Sequence, residues 1–259
     1  MRAATPRGIT IMSIVDFPSD VDVCASHIDA TISNIFLKLE TLASTLVKIW
    51  EAAEAEGRAP SSKDLSPLRV LIDSYLLAPD SCIQGTGVVL EPGALEDSGM
   101  YLEWLRVAAP NRTAPLTLNF NQRSESFYNY QNMPWFNQPK ATNQNVVIGP
   151  YVDLYGADMY ILTFATPILV QGRFIGIAGA DIALNRFERL LLADLMKLEN
   201  EALIVSEEGR VIASNTANWL VGDMARHAFN RLENECKQVE LGSSSAHWSL
   251  IARPVKRAA

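Results

Sequence analysis

Residues Met159 to Ile182 restrict this chain more than any other stretch. Met159 to Val170 is apolar and dense in β-branched and aromatic side chains, and Arg173 to Ile182 is a second run of the same kind. Only Gln171-Gly172 separates them. Gly accepts the positive φ that a two-residue hairpin loop requires, so the sequence predicts an antiparallel hairpin here. Gly176 and Gly179 lie in the second strand and leave its backbone open to close approach. Met159 to Val170 is too short to span a bilayer and contains Pro167, which argues against a membrane helix.

Side chains around this hairpin bring chemistry. Trp135-Phe136 lies upstream, after Met133-Pro134. Tyr151 and Asp153 are two apart, so on a strand they share a face. Asp181 ends an apolar run, an expensive place for a carboxylate without a partner. Aromatic faces together with carboxylates suit an organic cation. From residue 124 to residue 171 the only basic residue is Lys140, against Glu125, Asp153 and Asp158. Structural roles stand beside these: Asp153 as a solvated strand end, Asp181 as a helix cap, Trp135 and Phe136 as ordinary core.

On Trp135-Phe136, Tyr151-x-Asp153, Thr166-Pro167-Ile168, Gly172-x-Phe174-Ile175-Gly176-Ile177 and Asp181-Ile182, the chain resembles the Cache family of extracytoplasmic-type sensors, in its double form. The similarity runs from about Leu71 to Pro254 and is specific from Met133 to Leu184. It implies an α+β fold: a long N-terminal helix packed on a PAS-like antiparallel sheet, followed by a smaller second α/β module. In the family's amino-acid-binding branch, an Arg two residues before the Trp grips the ligand carboxylate; here Met133 stands there. Phe136 replaces the usual Tyr after the Trp. Tyr151, Asp153 and Asp181 stand where the family holds a ligand ammonium, and Tyr128 with Trp135 forms an aromatic wall. The implied site is therefore Tyr128, Met133, Trp135, Phe136, Tyr151, Asp153 and Asp181. Its ammonium half is present and its carboxylate half is absent, which implies a small amine-bearing, cationic metabolite.

The rest of the chain is read around that site. Met1 to Pro18 is weakly patterned, with Ile9 to Val15 as a short strand candidate. Val21 to Gly57 reads as one helix, capped by Ser19 or Asp20 and stopped by Gly57. Its apolar residues, from Ile28 through Ile32, Ile35, Leu39, Leu42 and Leu46 to Trp50, recur in steps of three and four on one stripe. A helix of this length, roughly 50 Å, is either a spine buried on its own domain or a homodimer helix, and the two can coexist. Leu68 to Leu77 is a short helix, and Thr86 to Leu90, Met100 to Leu105 and Leu116 to Phe120 are strands. Ser124 to Asn145 is an irregular, aromatic lid over the pocket. A helix begins near Asn185. Ala202 to Ser206 and Arg210 to Ser214 form a hairpin, Trp219 to Glu235 a helix, and Val239 to Leu241 with His247 to Ala252 a last strand pair. The division expected is 1–67 for the N-terminal segment with its helix (about 21–57), 68–198 for the ligand-binding module and 199–259 for a truncated second module.

Composition removes other function classes. The chain has 259 residues and a formal charge of −7, so a general nucleic-acid surface is not expected. Cys24, Cys82 and Cys236 have neither zinc-ligand nor disulfide-framework spacing. No His lies between His27 and His227, no Gly-x-Ser-x-Gly is present, and Gly85-x-Gly87 lacks the rest of a phosphate loop. Neither a catalytic site, a metal nor a cofactor is expected. Met1 to Asp20 lacks a continuous apolar core, so the sequence predicts a soluble, cytoplasmic protein without a membrane partner. Its output protein is not specified. A ligand-free interaction module that kept the fold is the alternative function, and an enzyme with an unrecognised site is a third.

Overall fold

The computed structural model describes residues 19–154, 159–225, 236–241 and 246–253. Helix α1 (Asp20–Ala55) opens the described chain. Ser19 and Asp22 cap it reciprocally, the Ser19 hydroxyl accepting from the Asp22 amide and the Asp22 carboxylate accepting from the Ser19 amide. Gly57, at φ +75°, lets the chain turn out of the helix, and the Arg58 amide closes the end on the Ala53 carbonyl. After α2 (Leu68–Leu76) come β1 (Ile83–Leu90), β2 (Leu102–Ala109) and β3 (Arg112–Pro115). Then follow α3 (Pro134–Thr142), β4 (Val146–Asp153), β5 (Met159–Val170), β6 (Arg173–Ala183) and α4 (Leu184–Leu195). The first sheet is antiparallel, in the order β3-β2-β1-β6-β5-β4. The predicted hairpin supplies two of its inner strands, β6 and β5: Gln171 and Gly172 both take positive φ, +51° and +79°, as a two-residue loop between twisted strands demands.

A smaller antiparallel sheet follows, built from β7 (Glu201–Val205), β8 (Val211–Ser214), β9 (Lys237–Glu240) and β10 (Ser249–Arg253) in the order β8-β7-β10-β9. The fold is thus the expected α+β arrangement of a long helix, an antiparallel sheet and a smaller second sheet. One hydrophobic core runs through both sheets, continuous from Ile28 on α1 through Phe164 on β5 and Phe187 on α4 to Trp248 beside β10. Aromatic contacts mark the path: Phe36–Phe164 at 5.2 Å, Phe164–Phe187 at 6.1 Å and Phe187–Trp248 at 5.9 Å between ring centroids.

The apolar stripe of α1 is spent inside its own chain. Ile28, Ile32, Leu39, Leu42 and Leu46 are each 0 % exposed, packed on the helix-facing side of the first sheet, chiefly across β5. The stripe that suggested a dimer seam is therefore the floor of the monomer's core, and what α1 shows outward is mostly polar. Its inner face is worth about 1.5–3 kcal/mol per large side chain buried. Among the described residues no helix is long and apolar enough to cross a membrane.

Several sequence expectations need correction. Leu116 to Phe120 is not a strand; its segment is irregular through Asn129. The lid is not irregular throughout, because α3 forms within it, with Pro134 in its first turn, where a missing amide hydrogen is harmless. Trp219 to Ala225 is turn and bridge rather than helix, pinned by the Ala225 amide on the Gly209 carbonyl and by the Val211 amide on the Asp223 carbonyl. The remainder of that predicted helix, 226–235, lies outside the described residues, as does the strand expected at Ile9 to Val15.

Candidate functional site

The first sheet has two distinct faces. Along β6, Ala178, Ala180 and Ile182 turn toward the helices, while Ile177 and Asp181 turn toward the lid. Along β5, Leu162 and Phe164 point to the helices and Thr163 and Ala165 to the lid. Strand β4 reaches the same pattern through a bulge. Ile148 lies opposite Thr163 and Tyr151 opposite Ile161, so β4 spends one more residue than β5 over this interval. An unbulged strand with Ile148 on the lid face would have turned Tyr151 and Asp153 away. The extra residue turns both toward the lid. Gly149 permits it: its φ is +118°, and a Cβ there would stand 2.8 Å from the Ile161 carbonyl oxygen.

The lid, residues 116–142, is held by aromatic contacts. Tyr130 is fully buried and donates its hydroxyl to the Leu90 carbonyl at 2.7 Å. Phe136 packs against Tyr130 at 5.1 Å and Phe174 at 5.6 Å. Lys140 on α3 pairs with Glu91 at 2.6 Å. Adjacent positions on a helix point about 100° apart, so Trp135 faces the sheet's cavity while Phe136 fastens the lid.

Between lid and sheet lies a cavity lined by Val89, Leu102, Trp104, Leu116, Leu118, Tyr128, Trp135, Tyr151, Asp153, Thr163 and Asp181. The structure brings together five of the seven expected residues: Tyr128, Trp135, Tyr151, Asp153 and Asp181. Met133 and Phe136 do not line the cavity. Met133 is the N-cap of α3, and Phe136, 1 % exposed, is the lid's anchor. Sequence reasoning missed Trp104 and Thr163. Gly85-x-Gly87, unexplained as a phosphate loop, is part of the seat of Trp104. A Cβ at Gly85 would stand 2.7 Å from the indole nitrogen, and one at Gly179 would stand 3.2 Å from the ring. The signal was legible only as small residues at alternating positions on two strands.

Asp181 is the electrostatic centre. It lies within β6, paired with Thr163 on one side and Gly85 on the other. It is not a helix cap: Ala183 is the N-cap of α4 and makes no side-chain capping bond. Thr163 donates to Asp181 Oδ1 at 2.8 Å, and the Tyr151 hydroxyl lies 2.7 Å from Thr163 Oγ1. Since Thr163 spends its one proton on Asp181, Tyr151 donates to Thr163, and the relay points at the carboxylate. Protein surrounds Asp181, and what surface it exposes belongs to the cavity. Desolvation pushes its carboxyl up to about 7; the Thr163 bond opposes the shift and the charge of Asp153 adds to it. Burial, with the charge of Asp181 behind it, likewise raises the Tyr151 phenol above its ordinary value. The site therefore holds two carboxylates, an oriented hydroxyl pair and an aromatic wall, with no basic side chain among its lining residues.

Residues 75–189 match the family model described as methyl-accepting chemotaxis protein-like, first PDC sensor domain. This stretch is similar to a chemoreceptor PDC sensor domain, in keeping with the Cache-type resemblance of the sequence. It contains every lining residue of the cavity. A curated relative, the methyl-accepting chemotaxis protein PscA of Pseudomonas syringae pv. tomato, is 27% identical over 78 residues, which is 30% of this chain and 12% of that protein. Solved Cache-type structures share the fold at low identity. They include the ligand-binding domain of the Pseudomonas aeruginosa chemoreceptor PctB in complex with L-Arg (17% identity, TM-score 0.61, 91% of this chain and 92% of that one). The Pseudomonas fluorescens chemoreceptor CtaA domain in complex with L-valine follows (15%, 0.62, 92% and 95%). The sensory domain of the Campylobacter jejuni chemoreceptor Tlp3 is similar too (12%, 0.65, 92% and 91%).

The glycine seat gives a direct test of this packing. A Cβ at Gly87 would fall 2.0 Å from the Glu103 carbonyl oxygen, a backbone atom that cannot swing aside. Gly87→Ala is expected to destabilise the domain by about 1–3 kcal/mol or more, the usual range for overpacking. Chemical denaturation checks it, and an unchanged midpoint would mean that β1 and β2 are farther apart.

Proposed function

We propose that this Cache-type domain senses a small amine-bearing cation, held between Asp153 and Asp181 against Trp104, Tyr128 and Trp135. The observation that carries the reading is the charge of the cavity: two carboxylates and no basic side chain among its lining residues. A desolvated carboxylate gains most from a ligand that brings its own positive charge. The PctB and CtaA complexes contain L-Arg and L-valine, each of which carries an α-carboxylate beside its α-ammonium. This chain has Met133 where the family resemblance places an Arg for the ligand carboxylate. A zwitterion would bury an unpaired carboxylate here, at a cost of several kcal/mol. The bound state passes its signal to a partner protein or along α1.

Calorimetry with matched pairs tests this: valine against isobutylamine, arginine against agmatine. The amine of each pair is expected to bind more tightly, and tighter binding of the amino acids would overturn the proposal. One observation favours a second reading. The cavity offers about 40 Å³, room for roughly two or three waters, whereas small-molecule pockets commonly measure about 300–1,000 Å³. A ligand must displace the lid, or the module has kept the fold and lost its ligand. Absence of heat with every amine and every amino acid selects the latter.

A further inference from the structure

On the opposite face of the same sheet, a much larger groove runs between α4 and the β2–β3 hairpin. Its volume is about 790 Å³, inside the range of small-molecule sites. Leu76 at the end of α2, Leu77 just after it, Val107 from β2 and Leu190 from α4 make its walls apolar, and two of these remain unusually open, Leu77 at 41% and Leu190 at 39% exposed. Arg186 and Arg189 stand along the α4 wall, one helical turn apart. Arg186 Nη1 donates to the Ser81 carbonyl at 3.3 Å, and Arg189 Nε to the Asn185 carbonyl at 3.2 Å. Neither guanidinium forms an ion pair with an acidic side chain among the described residues. Each carries five N–H donors, so most of each fork is open. Asp80 is the one acidic residue in the lining, which leaves the groove net positive in a chain of net charge −7.

We propose that this groove is a second binding site, for an organic carboxylate with an apolar body. A guanidinium fork matches a carboxylate in two parallel bonds, and the leucine walls take the hydrocarbon that follows. The site is the converse of the central cavity, which is acidic and small. One segment serves both, because β6 carries Asp181 into the cavity and runs directly into α4, which carries Arg186 and Arg189 along the groove.

Octanoate is a suitable probe, with octanamide as its neutral match. Titration of the full chain, followed by amide resonances, is expected to show saturable octanoate binding at about millimolar concentration, with shifts centred on residues 186–190. Octanamide is expected not to saturate in that range. The double variant Arg186→Gln, Arg189→Gln keeps its fold, since both side chains are exposed, and is expected to bind octanoate at least about tenfold more weakly. No octanoate binding by the unaltered protein would overturn the proposal. Equal binding of octanamide, unchanged affinity in the double variant, or shifts centred on Trp135 and Asp181 would do so as well.

Discussion

Asp181→Asn is expected to fold, to lose amine binding, and to become more stable relative to the parent as pH rises from about 5 to about 8. The folded carboxyl is raised to about 7 from an ordinary value of 3.8. Between those values the native protein holds a proton that the unfolded chain has released. Stability from this group is therefore fully present below the unfolded value and is lost as pH rises through about 7. The loss is on the order of 4 kcal/mol for a shift of this size. Asn resembles the neutral acid, keeps an oxygen to accept from Thr163, and cannot ionise. Parent and variant should thus melt most alike near pH 4 and diverge steadily up to about pH 7, with the variant higher at pH 8. Other carboxylates, such as Glu201, whose pKa is lowered on balance by its bonds to Arg253 and Asn218 against its burial, titrate alike in both proteins and cancel in the difference. A cation bound beside Asp181 displaces its proton, so amine affinity in the parent should rise with pH up to about 7. In the variant, binding weakens by at least about 1.5–3 kcal/mol, the range for a hydrogen bond to a charged group. A melting difference that does not move with pH would mean that Asp181 is hydrated. Undiminished amine affinity in folded Asp181→Asn would take it out of the site.

Leu42→Glu is expected to abolish folding. Leu42 is fully buried in the core that joins α1 to the sheet. A carboxylate there forfeits the burial of a large apolar side chain, about 1.5–3 kcal/mol, and adds several kcal/mol of desolvation without a partner. Together these approach the 5–15 kcal/mol that typically holds a domain. Leu37 lies on the same helix but is 59% exposed, and Leu37→Glu should change stability by no more than about 0.5 kcal/mol. Near-UV circular dichroism and light scattering read both variants. A Leu42→Glu protein that remained folded and merely changed its oligomeric state would show that the stripe is a seam between copies, contrary to the packing described.

The contrast between these residues shows what each level of description supplied. Periodicity is a property of neighbours in sequence, so it determined α1 and its buried stripe, the β5–β6 hairpin about Gln171-Gly172, and the shared face of Tyr151 and Asp153. Tyr128, Trp135, Tyr151, Asp153 and Asp181 were legible as a site through the family resemblance, whose motifs are short runs of sequence. What the stripe packs against was not legible, because an apolar face is equally satisfied by a sheet of its own chain or by a second copy. Trp104 could not be found, because its seat is made of Gly85 and Gly179, residues brought together only when β1 pairs with β6. Nor could the bulge at Gly149, which depends on register against β5. Asp181 shows the division most sharply. Its sequence position allowed a cap or a ligand group. Only the pairing of β6 with β1 and β5 sets it inside a strand, under a lid and beside Asp153, and it is that enclosure, a property of the assembled sheet, that desolvates the carboxylate.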